Sequence, residues 1–170
     1  DEVELLWRHC HAFLSAIDKM RYDYWHRIPV LIDWNISNFS IQSSAEDFTL
    51  FSRWDYDWFR MEVRTLDFYF LSRVVRSEGD KTFFSYTAEP LLDARFLLFL
   101  KSYHVVYPLT EEDLLFLKEA YRFFILNYVI KDGEHFFQAD LYRRLIRETV
   151  EVYLPQLERM DFDPLLGVLH

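Results

Sequence analysis

Cysteine is nearly absent: Cys10 stands alone in 170 residues. That excludes a disulfide within the chain and suits a reducing compartment, so a cytoplasmic setting is expected. Glycine occurs three times and proline five, too few for a glycine-rich loop that cradles phosphates. No run reaches the ~18 apolar residues that span a bilayer. The chain opens Asp1-Glu2-Val3-Glu4, the reverse of a basic secretory leader and without an initiator Met; a trimmed fragment is expected. Positive charge is also short, with 19 Lys and Arg against 28 Asp and Glu, for a net charge of -9. Such a chain repels phosphate backbones, so neither a nucleic-acid nor a membrane partner is expected. The balance suits a cationic substrate or a metal–nucleotide pair.

Apolar residues, by contrast, make up 51% of the chain and aromatics 19%. This is enough for one domain with a sizeable core. The pattern is mainly helical. Val3, Leu6, Cys10, Phe13, Leu14 and Ile17 recur at helical spacing over 2–20. His9 and His11, two apart, fall on different faces and cannot chelate one metal together. Further helices are read over 65–76, with Leu66, Tyr69, Phe70 and Val74 inward, and from Glu89-Pro90 to about Tyr103. Another, capped by Thr110 ahead of Glu111, Glu112 and Asp113, runs to about Val129. A fourth covers 138–152, with a short one after Pro155. Residues 161–170 read as a tail, 60–64 as a loop and 77–81 as a helix break. The fold class is mainly α with a small β-hairpin element (α+β) over 29–57, joined to a helical bundle over 65–160.

That β element carries the chemistry. Pro29 opens a short apolar run that stops at Asp33. Asn35, Ser37 and Asn38 are turn formers, and Phe39-Ser40-Ile41 is a return strand. After a polar loop over 42–47, Phe48 to Trp54 runs into Asp55-Tyr56-Asp57. Two buried strands ending in carboxylates can aim Asp33 and Asp55 at one point, with the Asn38 amide as a third oxygen ligand. Such a set suits Mg²⁺, which takes hard oxygen ligands and keeps several waters.

Asp33-Trp34-Asn35-Ile36-Ser37-Asn38 has the Asp-x-x-x-x-Asn spacing of a catalytic loop. Trp54-Asp55-Tyr56-Asp57 and then Arg64-Thr65-Leu66-Asp67 follow in order. In these elements the chain resembles the carboxy-terminal lobe of the aminoglycoside-phosphotransferase-like and choline-kinase-like small-molecule kinases, which have a protein-kinase-like fold. Those enzymes usually read His-Gly-Asp where this chain reads Leu31-Ile32-Asp33. The resemblance covers about residues 1–160. It implies a phosphotransferase that moves a phosphoryl group from ATP, with Mg²⁺, to a hydroxyl of a small molecule. Asp33 would be the catalytic residue that orients the acceptor hydroxyl. Asn38 and Asp55 would hold metal and nucleotide, and Asp67 would support the catalytic loop. It also implies an amino-terminal nucleotide lobe outside these residues.

Simpler roles stand beside each of these. Asp33 and Asn38 are also ordinary turn residues, and Asp67 is placed to cap a helix. Asp57 is a weaker ligand candidate, and Arg64 is more commonly an ion-pair residue. Trp34, Tyr56, Trp58 and Phe59 could cage a protonated amine, or simply fill gaps between strands and helices. Two other readings follow: a degenerate kinase-like domain that binds a partner or ligand without catalysis, motivated by Leu31-Ile32, and an all-helical interaction domain whose β insertion has no ligand.

Overall fold

A computed structural model describes residues 1–34, 38–44, 47–75 and 85–170. The turn formers at 35 and 37 and the helix break at 77–81 lie outside the described residues. The protein is mainly helical, with small β elements.

Helix α1 (Glu2–Lys19) starts at Asp1, whose side chain accepts from the Glu4 N–H at 2.9 Å while Glu4 reaches back to the chain start, a reciprocal cap. Its inner face is narrower than the periodicity predicts. Val3 and Leu14 are exposed, and the one buried residue is His9. Helix α1 packs on α4 (Glu111–Phe124) through the His9 contact with Arg122 and through half-buried apolar residues: Phe13 stacks on Phe123, and Leu6 and Ile17 pack on the core.

The β region is two separate antiparallel ribbons, not one element. Strand β1 (Ile28–Val30) pairs with β4 (Arg60–Glu62), and β2 (Phe39–Ser43) pairs with β3 (Phe48–Arg53). Residues 60–62, expected as a loop, therefore form a strand. The strands are also not both buried: Phe51 is 73% exposed and Trp54 55%. A two-stranded ribbon has no second layer to cover it, so the apolar residues of β3 stay at the surface.

The helical part begins with a 3₁₀ turn over Arg64–Asp67 that continues into α2 (Phe68–Val75). Helix α2 buries Phe68, Tyr69, Ser72 and Arg73. Helix α3 (Ala94–Val106) starts one turn later than its Pro suggests. Glu89–Leu92 is a 3₁₀ turn, and Asp93 is the cap that accepts from the Arg95 N–H. Thr110 caps α4 as expected, in a reciprocal box with Asp113. Beyond Phe124 the chain widens into a π-helical stretch, Ile125–Lys131. Short α5 (Gly133–Phe136), α6 (Ala139–Glu148), a second π segment (Thr149–Tyr153) and α7 (Leu154–Arg159) follow.

Residues 161–170 are not a loose tail. Helix α8 (Asp163–Leu166) and a closing 3₁₀ turn bury Phe162, Leu165 and Val168 in the main core. That core is built around α4, whose Leu114, Leu117 and Tyr121 are fully buried and which touches α1, α2, α7 and α8. No helix among the described residues is long and apolar enough to cross a membrane.

A buried polar cluster sits where α1 meets α4. Arg122 Nε donates to His9 Nδ1 at 3.2 Å, and the same guanidinium pairs with Glu119. His9 Nε2 lies 3.2 Å from the Glu158 carboxylate, which also takes Arg8. Since Nδ1 accepts, the proton of the neutral ring is on Nε2, facing Glu158. Burial first, then the Arg122 and Arg8 charges, lower the His9 pKa to about 4, against the opposing pull of Glu158. In the unfolded chain a histidine titrates near its ordinary 6.5. Between those values the unfolded chain holds the extra proton, so stability falls as pH drops from about 6.5 to about 4. The loss should be on the order of 2 kcal/mol once solvent around the exposed Glu158 is allowed for. Urea unfolding across that range, with His9→Gln beside the natural chain, measures it. An equal slope in both would clear His9 as the cause.

Candidate functional site

The segment after β1 turns sharply. The Asp33 N–H donates back to the Leu31 carbonyl at 2.7 Å, and Ile32 between them has φ +59°. This is a γ-turn with a β-branched residue in the left-handed region, a conformation that persists only when its surroundings enforce it. Asp67 provides the enforcement. Its Oδ1 accepts both the Leu31 N–H at 2.9 Å and the Ile32 N–H at 2.7 Å. Asp67 sits at the end of the 3₁₀ turn leading into α2, so the first buried helix of the core holds the turn by two bonds to one oxygen. Burial pushes the Asp67 carboxyl above its ordinary range. The Ile32 and Leu31 amides, the Trp34 indole and the Arg53 charge pull it back.

This arrangement fixes where Asp33 goes. Asn38 Nδ2 donates to Asp33 Oδ2 at 3.3 Å, and Arg53 donates to the Asp33 carbonyl at 2.6 Å. The Arg53 guanidinium also lies over the rings of Trp34, Phe39 and Tyr56. Asp33 and Asn38 are therefore brought together.

Asp55 is one residue beyond the bond that joins the Trp54 N–H to the Asn38 carbonyl. It too has a positive φ, +69°, but its side chain is exposed, and its Oδ1 accepts from the Asp57 N–H at 3.4 Å. Asp55 thus lies beside the Asp33–Asn38 pair through the backbone, with its carboxylate at the surface. Among the described residues, no group of three or more His, Cys, Asp or Glu side chains is placed to hold a metal ion. An oxygen set drawn from Asn38 and Asp55 is of a different kind, one amide and one carboxylate. Arg64 is an ion-pair residue: it binds Asp113 at 2.7 Å and the Pro108 carbonyl at 2.6 Å.

Asp33 and Ile32 form one wall of a cavity of about 160 Å³. Its lining also includes residues of α2 and of α4 with its π extension. Widening the helix at Ile125–Lys131 re-aims its side chains, and Asn127 and Tyr128 of that stretch face the cavity; π turns recur at functional positions for this reason. Burial raises the pKa of the Tyr128 phenol, and the neighbouring Asp33 charge adds to the effect. Trp58 meets Tyr128 edge-on and completes the rim. Of the four aromatics singled out in the sequence, Trp58 alone lines the cavity. Trp34 stacks on Phe39, and Tyr56 and Phe59 are exposed.

Sequence reasoning missed Arg73, Tyr86, Asn127 and Tyr128. Arg73 and Tyr128 fall within helical stretches where their spacing reads as core. Tyr86 lies close after the helix break, without a periodic pattern of its own. Compared with protein-family models, curated proteins and solved structures, the chain matches none.

Proposed function

We propose that this chain carries the acceptor and catalytic-loop half of a small-molecule O-kinase. In this reading Asp33 orients a substrate hydroxyl for attack on the terminal phosphoryl group of ATP. One observation carries the proposal: the Asp67 carboxylate gathers the Leu31 and Ile32 amides and so holds Asp33, bonded to Asn38, at the wall of a ligand-sized cavity. A turn pinned by a helix-borne acid, with a carboxylate at its exit, is the positioning that phosphoryl transfer requires, because that chemistry needs placement and charge neutralisation more than covalent steps.

The backbone supports the resemblance at a second point. The kinases that the chain resembles usually have Gly immediately before their catalytic Asp, and here that position, Ile32, has φ +59°. A left-handed residue is natural for Gly and strained for Ile. A positive φ at this position supports the reading, since it is one that a glycine would take without strain.

Asn38 and Asp55 fit Mg²⁺ by donor type, with one amide oxygen and one carboxylate on adjacent segments. When bound, the metal would neutralise phosphate charge. The chain's own residues hold the acceptor: the cavity walls exclude water around it, and Asp33 accepts a hydrogen bond from its hydroxyl.

Asp33→Asn, in the longest natural polypeptide that contains these 170 residues, is expected to lower acceptor-dependent ATP consumption about a hundredfold or more, with the fold intact by circular dichroism. Consumption at the natural rate would remove Asp33 from the mechanism. The replacement of His-Gly by Leu31-Ile32 favours a second reading, a kinase-like domain that binds a ligand in the same cavity without turnover. Titration with Mg²⁺-ATP separates the two, because metal-dependent nucleotide binding belongs to the first alone.

A further inference from the structure

Two helices of this chain each carry an apolar stripe that the fold leaves uncovered. On α1, Val3, Trp7, Cys10 and Leu14 follow one another at i, i+4, i+7 and i+11, the spacing that keeps side chains on a single seam along a helix. Val3, Trp7 and Leu14 are exposed, and Cys10 is half-buried. This is not the face that α1 turns to the core, which carries Leu6, His9 and Phe13. On α3, Ala94, Leu98, Lys101 and Val105 repeat the same spacing. Leu98 is 64% exposed and Val105 81%, while Phe96 and Leu100 of the same helix are buried in the core. A surface helix ordinarily shows water a polar face, and a contiguous apolar stripe there marks a contact surface.

The charges beside the two stripes are of opposite sign. The α1 stripe is flanked by Glu4, His11 and Asp18. The α3 stripe is flanked by Arg95 and holds Lys101 within it. All five side chains are exposed. Laid antiparallel, with Val3 against Val105 and Leu14 against Ala94, the seams set Lys101 against the Trp7 indole and within reach of Glu4. Arg95 then falls between His11 and Asp18. The ends also fit by size, a large leucine meeting a small alanine. Trp7 is already held, its ring stacked on His11 at 5.4 Å, and an indole face is the best aromatic partner for an ammonium. Neither stripe suits its own kind. Pairing α1 with α1 brings two acidic flanks together, and pairing α3 with α3 sets two lysines against leucine.

We propose that copies of this chain associate head to tail, the α1 stripe of one copy docking antiparallel on the α3 stripe of the next. The contact joins two different patches, so it does not end at a dimer but continues until the copies close into a ring or run on as a filament. A helix pair about 16 Å long is a small interface, and association half complete at roughly 100 μM is expected. Chains of net charge -9 repel at long range, and salt at about 0.15 M confines that repulsion to about 8 Å. The inference is independent of the kinase reading and stands or falls without it.

Sedimentation equilibrium of the 170-residue chain at that salt, from about 10 μM to about 1 mM, should show a mean mass that climbs past that of a dimer. Trp7→Glu spoils the α1 stripe and Val105→Glu the α3 stripe, both at exposed positions where circular dichroism should find the fold intact. Each variant alone should stay monomeric. Mixed in equal amounts, the two should form a dimer and stop there, because one sound pair of faces remains between them. Arg95→Glu should weaken association of the natural chain about tenfold or more, and adding Asp18→Lys to the same chain should recover part of the loss.

A natural chain that stays monomeric at about 1 mM overturns the proposal. So does a single variant that still associates, a mixture that does not, or an Asp18→Lys change that recovers nothing. The longest natural polypeptide that contains these residues is run beside the 170-residue chain. If it stays monomeric where the shorter chain associates, another segment of the same molecule covers a stripe, and the proposal fails.

Discussion

Asp67→Ala should destabilise the protein by about 3 kcal/mol and release the turn before Asp33. Two backbone N–H groups, of Leu31 and Ile32, lose their shared acceptor, and a partly buried donor without a partner costs about 1–3 kcal/mol. The second consequence is conformational. Ile32 is held at φ +59° against its own preference, and such strain, of order 1–3 kcal/mol, survives only while something enforces it. Without Asp67 the turn relaxes, and Asp33 leaves the cavity wall. Asp67→Asn keeps one acceptor oxygen and should restore most of the stability. The double variant Asp67→Ala/Ile32→Gly should recover part of it, since glycine adopts the turn without strain. Chemical denaturation of the four proteins tests the scheme. Equal stabilities for Asp67→Ala and the natural chain would show that the two bonds do not hold the turn.

The other large effect belongs to the cluster between α1 and α4. Arg122→Leu should cost about 3–5 kcal/mol, because it strands the buried Glu119 carboxylate and removes the donor to His9 Nδ1. Burial already pushes the Glu119 carboxyl above its ordinary range, against the pull of Arg122 and Lys118. With Arg122 gone, its pull is lost and the Glu119 carboxyl should be pushed further up. Replacing both residues, Glu119→Leu with Arg122→Leu, removes the stranded charge and should recover much of the loss. Unfolding free energies for the two single variants and the double one give the coupling directly. Additive losses would mean that the pair is not a unit, and His9 would then have to carry the contact.

Much of the helical part was legible because its signals are local. Thr110 and Asp113 cap α4 as their spacing predicts, and such a box is recognised within four consecutive residues. Asp67 was legible as an acid at a helix start, but the capping expected of it there is not what its carboxylate does. It bonds the Leu31 and Ile32 amides, 36 and 35 residues away. The strands were less legible. The mixed pattern at 48–54 reads as a half-buried strand, and Leu50 and Phe51 of β3 lie open to solvent while Ser52 and Arg53 are partly covered; β1 takes its partner from 60–62. Strand pairing depends on which distant segment arrives, and alternation within one segment does not encode it.

Composition and periodicity determined that the chain is mainly helical, that one apolar core is possible, and that Asp33, Asn38, Asp55 and Asp67 follow one another in a chemically suggestive order. These depend on neighbours within a few residues, where spacing along the chain and spacing in space are nearly the same thing. Tertiary structure alone decided that Asp33 opens onto an aromatic cavity and that Asp55 faces outward. Those facts depend on how α2, α4 and the two ribbons dock. Docking is set by the summed burial of many side chains, and no single stretch of sequence records it.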